Sequence, residues 1–333
     1  ITGGTGFIGT HLASLLHEVH PETRIYNLDI VEPGTPLPTV KNYKPALGKG
    51  EEHAATFIYC DVRQPIELEK VNITPDDVIF NFAAVHRTPG HPDPAYFETN
   101  IRGAENVCAF AERHGIRKIV FTSSIAPYGA AEELKEETTL PMPNTPYGIS
   151  KLVAEKIHQT WQAGGEGRQL TIVRPGVVFG RGENGNFTRL YWGIRGHKFM
   201  YPGRKDTIKA CIYVKELVRF MLYRLEHHDS GVELYNCCYE PAYTIEHIVE
   251  SMKRVTNMKV KVPFMPGWLI MTAAGIAGAL GSPMGICPAR VRKLQISTNI
   301  CGKKLSASGY RFRYTFEEAL ADWYKDNGNL YLQ

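Results

Sequence analysis

The stretch Ile1-Thr2-Gly3-Gly4-Thr5-Gly6-Phe7-Ile8-Gly9 decides the fold, because its glycines stand three residues apart immediately before an amphipathic helix. Such glycines allow a tight turn, close approach of the backbone to a pyrophosphate and close packing of helix on strand. The N-terminus of the helix then offers free N–H groups and the positive end of its dipole to phosphate. The residues predicted to lie against a dinucleotide are Gly3, Gly6, Phe7, Ile8 and Gly9.

An acidic residue ends the next strand-like segment. Asp29 closes the segment Arg24–Asp29, twenty residues after Gly9. A carboxylate at this place accepts hydrogen bonds from the ribose hydroxyls of NAD and repels the additional phosphate of NADP. The pattern therefore predicts an NAD site, and a glycine turn with a purely structural role is the alternative.

Strand-like and helical segments alternate over the first 175 residues or so. Further strands are predicted near 56–60, 77–84, 116–123 and 170–174, with helices at 95–114 and 146–161. Alternation of this kind is typical of an α/β fold with a doubly wound parallel sheet, in which ligands bind beyond the carboxyl ends of the strands. No metal site is predicted.

Several residues follow these strand ends. Asp61 could bind the adenine amino group or be a surface turn acid, and the small Ala83 and Ala84 would let a ribose approach. His86 and Arg87 follow in a loop rich in Pro and Gly, either as substrate contacts or as solvated loop residues.

Tyr147-Gly148-Ile149-Ser150-Lys151 places a phenol and an ammonium one helical turn apart, on one face of a helix. The pair Ser123-Ser124 precedes it at the end of a predicted strand. A nearby ammonium and an oxidised nicotinamide would lower the pKa of the phenol from its ordinary value of about 10. Tyr147 could then act as a general base on an alcohol, with Ser124 on the same oxygen and Lys151 on the nicotinamide ribose.

The pattern changes after Pro175. A glycine-rich loop, a strand near Lys259–Val262 and helices near 243–256, 266–280 and 314–327 predict a smaller mixed α/β lobe. The sequence thus predicts a cofactor domain at 1–178, to which about 209–238 returns. A substrate lobe at 179–208 and 239–333 would close over it.

Composition and charge narrow the function. A net charge of +4 without a run of basic residues argues against nucleic acid, and the seven scattered Cys favour a reducing, cytoplasmic location. The apolar run 268–280 is too short to cross a bilayer. It is either a buried lobe helix or an apolar, membrane-facing wall for a lipid-linked sugar or a sterol-like substrate.

These motifs together resemble the extended short-chain dehydrogenase/reductases, in particular the NAD-dependent epimerase/dehydratase family acting on nucleotide sugars, which have the Rossmann fold. The matching segments are TGGTGFIG (2–9), Asp29, DVR (61–63), NFAA (81–84), Asn100, TSSIAPYG (122–129), YGISK (147–151) and VRPGVVFG (173–180).

The resemblance implies roles for particular residues. The catalytic set would be Ser124, Tyr147 and Lys151. Further cofactor contacts would be Asp61, Val62, Ala83, Ala84, Asn100, Ser123 and Pro175. Substrate contacts in the second lobe would be Asn186, Lys209 and Arg292. The helices 95–114 and 146–161 would pair across a homodimer.

Two departures from the family narrow the reaction. Dehydratases of the family carry an Asp-Glu pair where this chain has Ile125 and Ala126, and the fucose-synthase-like branch needs a Cys in place of Ala126. Neither residue can transfer a proton, so dehydration is disfavoured. We expect an NAD-dependent nucleotide-sugar epimerase acting at carbon 4. The alternatives are an NAD(P)-dependent reductase or dehydrogenase acting on a sugar nucleotide or a steroid-like alcohol, and a non-catalytic NAD-sensing protein.

Overall fold

The structure, a computed structural model, describes residues 1–35, 55–69, 71–86, 90–229, 231–269, 272 and 295–333. The helices are α1 (Phe7–Val19), α2 (Asp93–Arg113), α3 (Pro146–Ala163), α4 (Asn186–Arg195), α5 (Val214–Glu226), α6 (Ile245–Val255), α7 (Lys303–Ala307) and α8 (Phe316–Asp326). The strands are β1 (Tyr26–Asp29), β2 (Thr56–Tyr59), β3 (Val78–Asn81), β4 (Lys118–Thr122), β5 (Ala131–Lys135), β6 (Gln169–Pro175), β7 (Val177–Phe179), β8 (Tyr201–Pro202), β9 (Ile208–Lys209), β10 (Cys211–Tyr213), β11 (Val232–Cys237), β12 (Tyr243–Thr244), β13 (Phe264–Met265) and β14 (Thr298–Ile300).

The main sheet is parallel and is joined in its middle by the start of the chain. The strand pair β2-β1 lies on one side and the series β3-β4-β6-β11 on the other. Thr2 forms parallel bridges to Leu28 of β1 and to Asn81 of β3. The predicted doubly wound parallel sheet is confirmed.

Helices cover both faces of this sheet because adjacent residues of each strand point to opposite sides. Phe80, Val120 and Val173 join a core with α1 and α5, whereas their neighbours Ile79, Ile119 and Ile172 join a core with α2 and α3. The strands are therefore apolar on both faces, as expected for a buried parallel sheet.

A second sheet and an aromatic core lie outside the main sheet. Strands β12, β9, β14 and β5 form a four-stranded sheet, and a cluster that includes Phe179, Phe187, Phe316 and Trp323 fills the space between α4, α6 and α8. Helix α8 begins with a capping box of Thr315 and Glu318, which satisfies the N–H groups of these two residues. The predicted division into domains stays a prediction.

Residues 125–145, between β4 and α3, contain a short 3₁₀ turn (Ala126–Tyr128) and β5. One local prediction was wrong. The strand expected at Lys259–Val262 lies later, at Phe264–Met265, where it pairs with β8. Val260 and Val262 pack on the aromatic core, which gives the same alternation as a strand without its hydrogen bonds. The helix expected at 266–280 falls mostly outside the described residues.

Among the described residues, no helix has the length and apolar character required to cross a membrane. The same residues contain no group of His, Cys, Asp and Glu side chains that could hold a metal ion. The six cysteines within the described ranges are all free thiols.

Candidate active site

The glycine-rich turn is pressed against the loop that follows β3. Gly3 has a φ of +68°, and a Cβ atom at this position would lie 2.6 Å from the Ala83 nitrogen. Only glycine accommodates both this backbone and this contact. The turn leads directly into α1, and Gly6, its N-cap, supplies no side-chain cap to the first N–H groups. These N–H groups are available to an anion.

Asp29 lies beside the same turn. Its Oδ2 atom accepts a hydrogen bond from the Thr5 N–H (3.1 Å), and Oδ1 accepts one from the Val31 N–H (3.1 Å). Burial raises the pKa of this carboxyl, while the backbone donors oppose that rise. The structure thus places the Asp29 carboxylate at the end of β1, next to the start of α1.

Ser124 and Tyr147 meet because α3 begins in contact with the turn after β4. The Thr145 side chain caps the helix by accepting from the Gly148 N–H (3.1 Å). A Cβ on Gly148 would lie 2.6 Å from the Ala126 carbonyl oxygen, so glycine is required for this approach. The Ser124 side chain lies beside the Tyr147 phenol, where it favours the ionised form, and it also accepts from the Ala126 N–H (3.1 Å).

The Lys151 ammonium lies one turn further along α3, with a side chain only 2% exposed. Its Nζ atom is 4.3 Å from the centre of the Phe121 ring, and none of the described residues accepts a hydrogen bond from it. Burial lowers the pKa of Lys151 to about 7, and the negative charge of Glu155 opposes this shift.

The pKa of Tyr147 moves in the direction opposite to the one expected from the sequence. Burial raises the pKa of the phenol, and the hydrogen bond with Ser124 only partly offsets this rise. Desolvation of the phenol dominates here, whereas the expected lowering came from the positive charges of Lys151 and an oxidised nicotinamide. A lower pKa in the NAD-bound protein stays a prediction.

A buried ion pair underlies the catalytic helix. Glu155, one turn after Lys151, accepts from Arg174 at both carboxylate oxygens, with distances of 2.8 Å from Nε and 2.6 Å from Nη2. Ser123 Oγ donates to Glu155 Oε1 at 2.5 Å. Both charged side chains are almost fully buried. This pair links α3 to the ends of β4 and β6.

A second polar chain continues along the same helix face. His158 Nδ1 lies 2.7 Å from the Ala154 carbonyl oxygen, and Asn81 Nδ2 lies 3.1 Å from His158 Nε2. Asn81 Oδ1 in turn accepts from Thr2 Oγ1 at 2.7 Å. Burial lowers the pKa of His158 to about 4, so the ring is neutral at pH 7.

Sequence reasoning missed these supporting residues, although a signal was present. Glu155 and His158 fall four and seven residues after Lys151, on the same helix face, and Arg174 interrupts an apolar strand. A charge inside an otherwise apolar, buried segment requires a partner. The recurrence of charged residues on one face of α3 therefore indicated a buried pair.

The remaining predicted cofactor residues lie at or near the same sheet edge. Asp61 is engaged by Arg63 (2.6 Å), which holds the pKa of the Asp61 carboxyl below its ordinary value. Asn100 exchanges hydrogen bonds with the Val85 backbone (2.8 and 3.0 Å), which fixes the loop after β3. Val62, Ala84, Ser123 and Pro175 follow or end β2, β3, β4 and β6.

The predicted substrate residues lie on separate elements of the structure. His86 is exposed on the loop after β3, and Asn186 at the start of α4 accepts a hydrogen bond from Arg189 (2.8 Å). Lys209 in β9 donates to the Ile296 carbonyl (2.8 Å). Arg87 and Arg292 lie outside the described residues.

These residues fit a dinucleotide. The glycine cradle has no room for larger side chains, and the first N–H groups of α1 have no side-chain cap. The buried Lys151 ammonium lacks a hydrogen-bond acceptor among the described residues. The oxygens of two ribose hydroxyls would supply the missing acceptors.

Comparison with known proteins agrees with this geometry. The family model described as "NAD dependent epimerase/dehydratase family" matches residues 1–238. The N-acetyl-alpha-D-glucosaminyl-diphospho-ditrans,octacis-undecaprenol 4-epimerase of Escherichia coli O157:H7 is 31% identical over 96% of this chain and 92% of that protein. The UDP-glucose 4-epimerase 3 of Oryza sativa subsp. japonica is 26% identical over 80% of this chain and 78% of that protein.

The fold is shared with a crystal structure of UDP-glucuronic acid 4-epimerase from Bacillus cereus in complex with NAD. The TM-score is 0.75 at 19% identity, covering 99% of this chain and 96% of that one. The predicted cofactor, NAD, and the predicted NAD-dependent 4-epimerase are confirmed by these comparisons. The chain belongs to the NAD-dependent epimerase/dehydratase family.

Proposed function

We propose that this enzyme inverts carbon 4 of a sugar carried on a diphosphate, and that Tyr147, Ser124 and Lys151 perform the chemistry. The observation that carries the proposal is the position of the Ser124 side chain beside the Tyr147 phenol, one helical turn from a buried ammonium. A phenol and a hydroxyl that share one oxygen-binding position suit the removal of a proton from a sugar hydroxyl.

Each residue has a distinct task. Tyr147 takes the proton from the hydroxyl on carbon 4 and returns it after inversion, while Ser124 orients the same oxygen. Lys151 donates to the nicotinamide ribose, and its positive charge favours the phenolate form of Tyr147. Glu155 and Arg174 do not face the substrate and instead hold α3 against β4 and β6.

The glycine turn would hold the pyrophosphate of NAD and Asp29 its adenine-side ribose, with further contacts from the strand-end residues named above. When bound, NAD supplies reversible hydride acceptance at the carbon that is inverted. The turn after Ser124 carries Ile125 and Ala126, which offer no proton donor or acceptor. Removal of water from the sugar therefore lacks an acid and a base, which favours epimerisation over dehydration.

The sugar diphosphate can be carried by two kinds of molecule, and the proposed substrate contacts suit both. One is a nucleotide sugar, as the sequence predicts, and the other is a sugar diphosphate on a polyprenol, as in the name of the relative from Escherichia coli O157:H7. His86, Arg87, Asn186, Lys209 and Arg292 are the proposed contacts to the substrate. Cations among them would neutralise the diphosphate in either substrate.

Proton NMR of the purified enzyme tests the proposal. UDP- and GDP-sugars and a polyprenyl-diphosphate-linked N-acetylglucosamine in detergent are incubated separately, without added cofactor. Formation of the carbon-4 epimer from either class supports the proposal and identifies the carrier. Turnover only when NAD or NADH is supplied in substrate amounts would contradict it and indicate a reductase or dehydrogenase, for which hydroxysteroids form the control panel.

A homodimer in the cytoplasm completes the proposal. On α3, Ile149 and Val153 are one helical turn apart and 40% and 36% exposed, and Phe97 and Ile101 line a shallow depression on the adjacent α2. An apolar face shared by two neighbouring helices suits a second copy of the chain. Light scattering should give twice the chain mass, and Ile149→Glu with Val153→Glu should give the single-chain mass.

A further inference from the structure

Charge is distributed very unevenly along this chain. Residues 251–316 contain eleven Lys and Arg and no Asp or Glu. Because the whole chain has a net charge of +4, the remaining residues carry seven more acidic than basic side chains. A basic segment in an otherwise acidic chain favours an anionic partner for this part of the second lobe.

The same segment exposes large apolar side chains. Phe264, Trp268 and Leu269 are 51%, 69% and 41% exposed and lie within six residues of each other. Side chains of this size are usually buried, and several exposed together mark an interaction surface.

The backbone on both sides of Phe264 is anchored. The Tyr201 N–H donates to the Pro263 carbonyl (2.9 Å), and the Gly203 N–H donates to the Met265 carbonyl (2.9 Å). Tyr201 itself is buried in the aromatic core. Phe264 is therefore exposed on a paired strand, so its exposure does not arise from a frayed end.

Two lysines lie on the outward side of the same segment. Val260 and Val262 pack against the aromatic core, which leaves the alternate residues Lys259 and Lys261 exposed. Within the described ranges neither lysine forms an ion pair.

The acids of the adjacent helix already have partners. Glu246 pairs with Lys205 (2.8 Å), and Glu250 pairs with Lys253 (2.9 Å). The charges of Lys259 and Lys261 are consequently available to an external anion.

We infer that a docking strip, composed of Lys259, Lys261, Phe264, Trp268 and Leu269, binds the surface of an anionic phospholipid bilayer. Ammonium groups meet the lipid phosphates, while Trp and Phe side chains enter the boundary between headgroups and acyl chains. A soluble polyanion would satisfy the lysines but would leave the exposed aromatic side chains in water. The inference does not depend on the proposed reaction, because lipid binding is measured without turnover.

Vesicle co-sedimentation tests the docking strip. The full chain is mixed with vesicles of phosphatidylcholine alone or of equal parts phosphatidylcholine and phosphatidylglycerol, at low and high salt. We expect sedimentation with the anionic vesicles at low salt, weakening as salt screens the lysines. A blue shift of tryptophan fluorescence on vesicle addition should disappear in Trp268→Phe and persist in Trp192→Phe, because Trp161 and Trp323 are buried and Trp192 is the other exposed tryptophan.

Substitutions separate the two components of binding. Lys259→Glu with Lys261→Glu should reduce the vesicle partition coefficient by at least about twentyfold, because each lysine contributes roughly a factor of five. Phe264→Ser with Trp268→Ser should reduce it at least about tenfold. The matched control is Leu140→Ser with Met142→Ser, which changes two highly exposed apolar residues elsewhere and should bind as the unchanged protein does.

Two results would overturn the inference. One is equal sedimentation of the unchanged protein and the docking-strip variants. The other is tighter binding to a DNA oligonucleotide than to anionic vesicles, with no effect of the aromatic substitutions. Epimerisation of a soluble sugar nucleotide, measured in parallel, reports on the reaction separately, so failure of either proposal is recognised by itself.

Discussion

The inner face of α3 and the docking strip deviate from the ordinary distribution of side chains in opposite directions. On α3, Lys151, Glu155 and His158 are charged or polar and almost fully buried. On the docking strip, Phe264 and Trp268 are large, apolar and exposed. Each arrangement costs free energy in the isolated protein, and each is compensated only by a partner.

The difference shows what kind of partner each region has. Glu155 and His158 of α3 have hydrogen-bond partners inside the protein, whereas the Lys151 ammonium has none among the described residues, which implies a ligand with defined geometry. The docking strip presents side chains without such matching, which suits a fluid surface that adapts to it. Local violations of the folding pattern thus mark function in both regions.

Removal of the Tyr147 hydroxyl should have the largest effect. Tyr147→Phe keeps the ring but removes the proton acceptor, so kcat should fall about a thousandfold. Initial rates of epimer formation measure this, with NAD content and thermal stability as controls for folding. An unchanged kcat would remove Tyr147 from the catalytic set.

Loss of one charge from the buried pair should mainly affect stability. Glu155→Gln leaves the Arg174 guanidinium buried without its carboxylate and should lower the free energy of unfolding by about 3–5 kcal/mol. Denaturant unfolding measures this. In the matched control, Asp76→Asn removes a partner of Arg117 on the surface and should cost less than about 1 kcal/mol. Equal losses would show that the buried pair has no special role.

Lys151 should make the stability of the NAD-free protein depend on pH. Its pKa is about 7 in the folded protein against an ordinary value of 10.5, so the unfolded chain binds more protons between these values. Stability should therefore rise with pH from about 7 to 10.5. Lys151→Met should remove this rise and, at pH 7, increase the free energy of unfolding by on the order of 3 kcal/mol. A parallel rise in both proteins would exclude Lys151 as its source.

Substitution in the docking strip should change stability least. Phe264→Ser and Trp268→Ser remove exposed side chains, so the free energy of unfolding should stay within about 0.5 kcal/mol. Denaturant midpoints measure this, and the result sharpens the comparison with α3. A loss above about 2 kcal/mol would show that these side chains are packed in solution.

The sequence predicted the parallel sheet and the Ser124–Tyr147–Lys151 constellation because both depend on local patterns. Glycine spacing, apolar strands and a four-residue helical interval are each contained in a short segment. The Glu155–Arg174 pair joins residues nineteen positions apart. The local pattern indicates that each charge needs a buried partner, but it does not indicate which residue the partner is. The short strands after Pro175 were less predictable for the same reason, since they pair with distant segments, as β14 does with β5.

In the contact between Gly148 and the turn after Ser124, the backbone sets the position of the catalytic residues, and the side chain at that turn is independent of it. The contact is made by the Ala126 carbonyl, so the backbone at this position sets the distance between α3 and the turn that follows Ser124. The Ala126 side chain takes no part in that contact. The side chain at position 126 can therefore be replaced by an acid, a base or a thiol, in evolution or by design, without a change in the backbone contact that positions Tyr147.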